Sequence, residues 1–318
     1  MRIVRSVIAS GLCLMVLLVS LLATMPMAHA REGASARPPV PLLWKVQGSD
    51  GQTVWLLGSF HLLTKADYPL SPEVDAAFAD ARRVVFELPP DEANSPALQA
   101  AMLRAATRKA GSSLQDELGA DAWRKLGDWC ARSGVPLETM ANYKRWFVGL
   151  TVGIVSMTRH GLRPELGLDR HFMAAATQAG KQTAGLETAA EQIALLDGMS
   201  PAEQAQMLSE ALDQDGRGSD ESRQLHALWR RGDADALWNG MANKMQLAYP
   251  ALYRRINVER NERWLPEIER YLRDGQGDTL VIVGSLHLLG SDGVVSKLQA
   301  KGYAVERVCQ ACGARAGR

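Results

Sequence analysis

The chain has 318 residues, with 36 Lys and Arg against 35 Asp and Glu and a formal net charge of +1 at neutral pH. That length suits one large domain or two small ones, and the even charge balance, without a basic stripe or tail, disfavours nucleic acid as a partner. Only 6 histidines are available to any chemistry that needs imidazole.

Residues 1–30 read as a secretory leader. Arg2 and Arg5 give a basic start, an apolar run follows from Ser6 to Ala23, and "MAHA" ends in the small-x-small pattern Ala28-His29-Ala30. This layout predicts cleavage after Ala30. An uncleaved anchor is the alternative, since the run approaches spanning length. Cys13 lies inside the apolar run behind Leu12, which argues against a lipidated terminus. Loss of Arg2 and Arg5 turns the net charge slightly negative, and the exported chain is expected to have no stable membrane insertion.

Residues 31–41, "REGASARPPVP", form a flexible leader. "LLWKVQGSDGQTVWLLGSFH" alternates around a "GSDG" turn and predicts a β-hairpin. "SPEVDAAFADA" predicts a helix, with Ser71 as N-cap and Pro72 at its first position. "RRVVFEL" is a short apolar strand that closes on Glu87 before Pro89-Pro90. Residues 96–160 are expected to be mainly helical, including the apolar "YKRWFVGLTVGIVSM", which is too short to span a bilayer and reads as a buried helix. A helix begins near Leu168, "KQTAGLE" is a strand ending at Glu187, and "TAAEQIALLDGM" is the helix after it. Residues 200–270 are helical again, with a break near "DQDGRGSD". "DTLVIVGSLHLLG" is a buried strand, and "GVVSKLQAKGYAVERV" closes with a helix and a strand. Cys130 lies on a helical pattern and packs as a small apolar side chain. "CQAC", Cys309 to Cys312, is read as a disulfide clamp, as free thiols, or as a redox or metal site. The fold class is therefore α/β, with a central mixed sheet from both ends of the chain and a large helical middle. A single domain over 42–308, with helical insertions at about 96–160 and 200–270, is followed by a tail at 309–318.

Two segments more than 200 residues apart share one frame. "WLLGSFHLL" and "VIVGSLHLLG" are apolar runs that end in Gly-Ser-x-His. Glycine is expected to turn each chain at the carboxyl end of its strand, where α/β sheets place ligands. Side by side, the two strands would aim His61 and His287 into one crevice, and Glu87 closes a third strand. Two imidazoles and a carboxylate form a three-ligand set for a divalent ion with open positions. A lone histidine after a strand is ordinarily a loop residue; the repeated frame is what raises this pair above that.

Across most of its length, from about Leu42 to Val308, the chain resembles the TraB/GumN family of bacterial proteins. That group is related to the Tiki membrane metalloproteases and, more distantly, to erythromycin-esterase-like and haem-binding ChaN-like folds. The resemblance is carried by "WLLGSFHLLTKADYPLSPEV", "RRVVFEL", "ELGLDRHFMAAATQAGKQTAGLETAAEQIALL", "ERNERWLPEI" and "LVIVGSLHLLGSDGVVSKLQAKGYAVERV". It implies that His61, Glu87 and His287 hold the metal of a metal-dependent hydrolase, with peptide or small-molecule substrates. Both motifs use Ser (Ser59, Ser285) where Thr is also common, and "CQACGARAGR" lies beyond the matched region.

Around that set, Glu187 is a candidate base or further ligand. Arg260 could neutralise a substrate carboxylate or an oxyanion, and Asn261 could hold a water or backbone group, unless the two are a buried structural pair. Asp169 is read as the first-turn residue of a helix, stabilised by its dipole. The leading expectation is a periplasmic or secreted hydrolase using Mn, Co, Zn or Fe. A non-catalytic metal- or haem-binding envelope protein and a scaffold with a decayed site are the alternatives.

Overall fold

The structure is a computed structural model, and it describes residues 37–48, 51–216 and 220–313. The leader expected over residues 1–30 lies outside the described residues. The described chain divides into two compact units. One comprises Asp91–Glu165 and Ala189–Arg223; the other comprises residues 37–90, 166–188 and 224–313.

The first unit is helical. Its helical stretch Leu114–Ser133 is kinked at Gly119 and ends at Gly134, whose φ of 75° is a left-handed conformation that glycine adopts at little cost. The apolar helix Arg145–Arg159 buries Trp146, Phe147, Val148 and Val152. It packs closely against the helix Pro201–Gly216, because a Cβ on Gly149 would stand 3.1 Å from Leu208 Cα. No helix among the described residues is long and apolar enough to cross a membrane.

The second unit carries one six-stranded mixed sheet. Its strands are β1 (Leu43–Gln47), β2 (Thr53–Ser59), β3 (Arg83–Phe86), β4 (Gln182–Gly185), β5 (Thr279–Gly284) and β6 (Ala304–Arg307), in the spatial order β4-β3-β5-β2-β1-β6. The expected hairpin is β1 and β2, paired antiparallel. β4, β3, β5 and β2 run parallel, and β6 pairs antiparallel with β1. All six residues of β5 are buried, as an uninterrupted apolar run predicts for an inner parallel strand.

This order brings the two echo segments together. β2 and β5 are neighbours, with Ser59 opposite Gly284. The other neighbour of β5 is β3, with Phe86 opposite Ile282, so Glu87 emerges at the same edge. β4 lies beside β3, and the amides of Leu186 and Glu187 both donate to the carbonyl of Glu87. Four parallel strands therefore end at one level, and His61, Glu87, Glu187 and His287 follow those ends.

The motif glycines differ from expectation. Gly58 is still inside β2, and Gly284 has φ −51° and ψ 134°, so neither turns the chain through the left-handed region. What they supply is room. A Cβ on Gly58 would stand 2.9 Å from Ser285 Oγ and 3.1 Å from Leu42 Cβ. One on Gly284 would stand 3.1 Å from His61 Nε2 and 3.3 Å from Glu87 Oε1.

Candidate functional site

Each imidazole is held through Nδ1. His61 Nδ1 is 3.0 Å from Asp169 Oδ1, an oxygen that also accepts from Ser59 Oγ at 2.8 Å. Asp169 stands in the first turn of the helix Leu168–Gln178 and is itself buried. Its carboxylate therefore does more than complement a helix dipole: it orients His61. His287, in the 3-10 turn Ser285–His287 after β5, donates from Nδ1 to Asn261 Oδ1 at 2.7 Å. Asn261 Nδ2 in turn donates to Asp292 O at 2.8 Å. Both polar ends of this fully buried amide are thus engaged within the chain.

The carboxylates and a guanidinium fill the space between the rings. Glu87 Oε1 accepts from Gly284 N–H at 2.8 Å and lies 3.9 Å from His61 Nε2. Arg260 Nη2 donates to Glu87 Oε2 at 2.6 Å, and Nε donates to Glu187 Oε2 at 3.1 Å. Nη2 also reaches Glu187 Oε1, which makes the Glu187 pair two-pronged. Nη1 donates to His287 Nε2 at 2.9 Å. A neutral His287 bearing its proton on Nδ1 satisfies both of its contacts. Arg260 also lies over the Trp264 ring, 4.6 Å from its centroid.

Arg260 and Asn261 come from the helix Glu259–Tyr271, which continues without a break from a π-helical turn at Arg254–Val258. Such turns add a residue to the helical repeat and recur at functional sites.

The electrostatics follow from burial and neighbours. Burial alone would depress His61, but Asp169 and Glu87 outweigh it and raise the ring to about 9. Burial, reinforced by the Arg260 charge, pushes His287 down to about 3. Burial would raise Glu87, yet Arg260, His287, His61 and the Gly284 amide together hold it well below the carboxylate range. Arg260 is held charged against burial by Glu87 and Glu187.

Behind His61 the chain makes a 3-10 turn, Lys65–Asp67. The buried Asp67 carboxylate accepts from Thr64 N–H at 2.6 Å, contacts His226 Nε2 at 2.9 Å and pairs with Arg230. Trp229 Nε1 donates to Gly58 O at 3.1 Å, which ties the helix that carries His226 and Arg230, Asp220–Arg230, to the end of β2.

All six residues singled out from sequence, His61, Glu87, Glu187, Arg260, Asn261 and His287, are brought together at this edge of the sheet. Sequence reasoning missed the part played by Asp169. Its only signal was the Gly-Leu-Asp element, and nothing in local spacing links it to a histidine 108 residues away. Among the described residues no group of three or more His, Cys, Asp and Glu could hold a metal ion as arranged. Arg260 donates to both His287 Nε2 and Glu87 Oε2, two of the atoms such a group would use.

The fold and site define a class: an α/β sheet whose parallel strand ends carry two tethered imidazoles and two carboxylates around a buried arginine. The chain belongs to the TraB/PrgY/gumN family, whose sequence model matches residues 42–307. No curated protein and no solved structure gives a match.

Proposed function

We propose that this protein is an exported, metal-dependent hydrolase of peptides or small molecules, with His61, Glu87 and His287 as the ligands of a divalent ion. The observation that carries the reading is the tethering of both imidazoles through Nδ1, by Asp169 and by Asn261. Metal-binding histidines characteristically spend one ring nitrogen on such a partner and keep the other for the ion. Both Nε2 atoms lie beside Glu87, one directly and one through the Arg260 guanidinium. The donor set suits Mn, Co, Zn or Fe. Such an ion would supply Lewis acidity, lowering the pKa of water and polarising a carbonyl.

The remaining roles fall to the chain itself. Arg260 offers a fixed positive charge to a substrate carboxylate or a developing oxyanion. Glu187, with a side chain only 2% exposed, holds Arg260 in place and is the candidate base. Asn261 fixes the His287 ring rather than reaching substrate. A non-catalytic binder of metal or haem is the second reading. In its favour, Arg260 and Glu187 are bound to each other in a two-pronged pair, which keeps the candidate base and the oxyanion cation engaged within the chain.

The test is metal content of the purified chain after mild dialysis, with His61→Ala and His287→Ala variants checked for folding by circular dichroism. Stoichiometric metal in the native chain and its loss in each variant is expected. Equal metal in all three proteins rejects the site. Turnover of a peptide library or simple esters that disappears with chelator supports the hydrolase. Bound metal without turnover, or a haem Soret band, supports the binder.

A further inference from the structure

The CQAC segment plays no part in the strand-end site. Cys309 and Cys312 are joined by a disulfide three residues apart in sequence. We propose that this bridge is a site of reversible thiol–disulfide exchange, reduced by thiol donors while the rest of the protein stays folded.

Three observations carry this. First, the bridge connects nothing that is otherwise separate. The last sheet hydrogen bond of the chain runs from Val308 N–H to Leu43 O. Cys309 follows immediately, and Cys312 lies within the single turn Gln310–Gly313. A cross-link stabilises chiefly by shortening the loops open to the unfolded chain, and its contribution shrinks with the loop it closes. Here the loop is minimal, so the bond contributes little to the fold.

Second, neither cysteine of the bridge is a buried residue. Cys312 is exposed and Cys309 half-buried, and access is one condition for exchange. Cys130 is the opposite case. It is buried, and burial raises its thiol to about 11, so it is a poor nucleophile.

Third, the turn is held without the bridge. Gln310 N–H donates to Glu73 Oε1 at 3.0 Å, and Glu73 is a buried residue in the first turn of the helix Pro72–Asp80. Cys312 N–H donates to Cys309 O at 3.3 Å. Neither contact involves sulfur. After reduction they keep the two thiols within one turn, ready to close again.

The reaction balances with two equivalents of thiol. A thiolate attacks Sγ of Cys312, the more exposed of the two residues, the protein S–S bond breaks, and Cys309 leaves as a thiolate that takes up a proton. A second thiolate then attacks the external sulfur of the mixed disulfide. This releases the oxidised donor and leaves Cys312 as a thiolate, which is protonated. The donor loses two electrons and the protein gains them.

The test uses the full chain in buffers of reduced and oxidised glutathione, with alkylation and mass spectrometry of the peptide containing both cysteines. Expected are reduction by excess reduced glutathione, closure again with oxidised glutathione, and an unchanged melting temperature across the two states. A Cys309→Ser variant should accumulate a glutathione adduct at Cys312. Cys130 should label only after denaturation, which reports that the protein stayed folded. A bridge that resists excess reduced glutathione in the folded protein overturns the proposal. So does a marked fall in melting temperature on reduction, because the bond would then be a structural clamp.

Discussion

Replacing Arg260 by Met removes the guanidinium from a site that holds two carboxylates. In the native chain it bonds Glu87 Oε2, both oxygens of Glu187 and His287 Nε2, and its side chain is only 12% exposed. Breaking a buried ion pair from one side typically costs about 3–5 kcal/mol, because the partner charge is left uncompensated. Glu87 keeps its bond from Gly284 N–H and is 17% exposed, so the low end, about 3 kcal/mol, is the expectation at pH 7. The sign with pH follows from Glu87. Its folded pKa is depressed, so its contribution in the native chain is in place above the ordinary 4.5 and drains away as pH falls below that value. Without Arg260, the largest of the influences that hold it down is gone, and the carboxyl titrates higher than in the native chain. Protonation then relieves the variant, and the gap between the two proteins narrows from pH 7 to pH 4.5. Urea denaturation followed by circular dichroism at both pH values measures it. If the site accepts a divalent ion, millimolar Mn or Zn should restore more stability to the variant than to the native chain, by mass action on an emptied cation position. A loss below about 1 kcal/mol at pH 7, or the same loss at both pH values, refutes the counter-ion reasoning.

In the metal-free chain, His61 should titrate near 9 by NMR. Because its pKa is raised in the fold, its stabilisation is complete below 6.5 and is lost as pH rises through 9. Asp169→Asn should lower that midpoint by roughly two units, and an unmoved midpoint counts against the Asp169–His61 contact. Gly58→Ala should cost about 1–3 kcal/mol in thermal melts by overpacking; adding Ser285→Ala removes the nearest atom, 2.9 Å away, and should recover part of the loss. Asn261→Leu removes the acceptor of His287 Nδ1 and the donor to Asp292 O, at a cost of about 1–3 kcal/mol. Arg260 still donates to His287 Nε2 and keeps the Nδ1–H tautomer, so the readout is stability, and a loss below about 0.5 kcal/mol in thermal melts argues against that role.

What could be read from the sequence was whatever local periodicity or repetition encodes. The apolar runs of β2, β3 and β5, the Pro72 helix start and the Gly134 helix end are local, and each lies where the pattern placed it. The repeated Gly-Ser-x-His frame pointed to two adjacent strands, and β2 and β5 pair in register. Contacts that depend on tertiary packing were not legible. Asp169 reaches His61 across 108 residues, and Arg260 reaches Glu87 across 173. The motif glycines were misread for a similar reason: what demands their small size is the neighbouring strand and ring, which the local sequence does not contain.

The sheet order also governs the moment at which the site comes into being. β5 is an inner strand, inserted between β3 and β2, yet it is nearly the last stretch of sheet to leave the ribosome. Until it arrives, β2 and β3 each expose an unpaired backbone edge, the condition under which strands find the wrong partners. Closing the sheet joins residues 225 positions apart, a slow, long-range step. The same step brings His287 to His61 and Glu87. A nascent or truncated chain ending before residue 279 therefore has an incomplete sheet and lacks the second imidazole, so sheet completion and site assembly are one event.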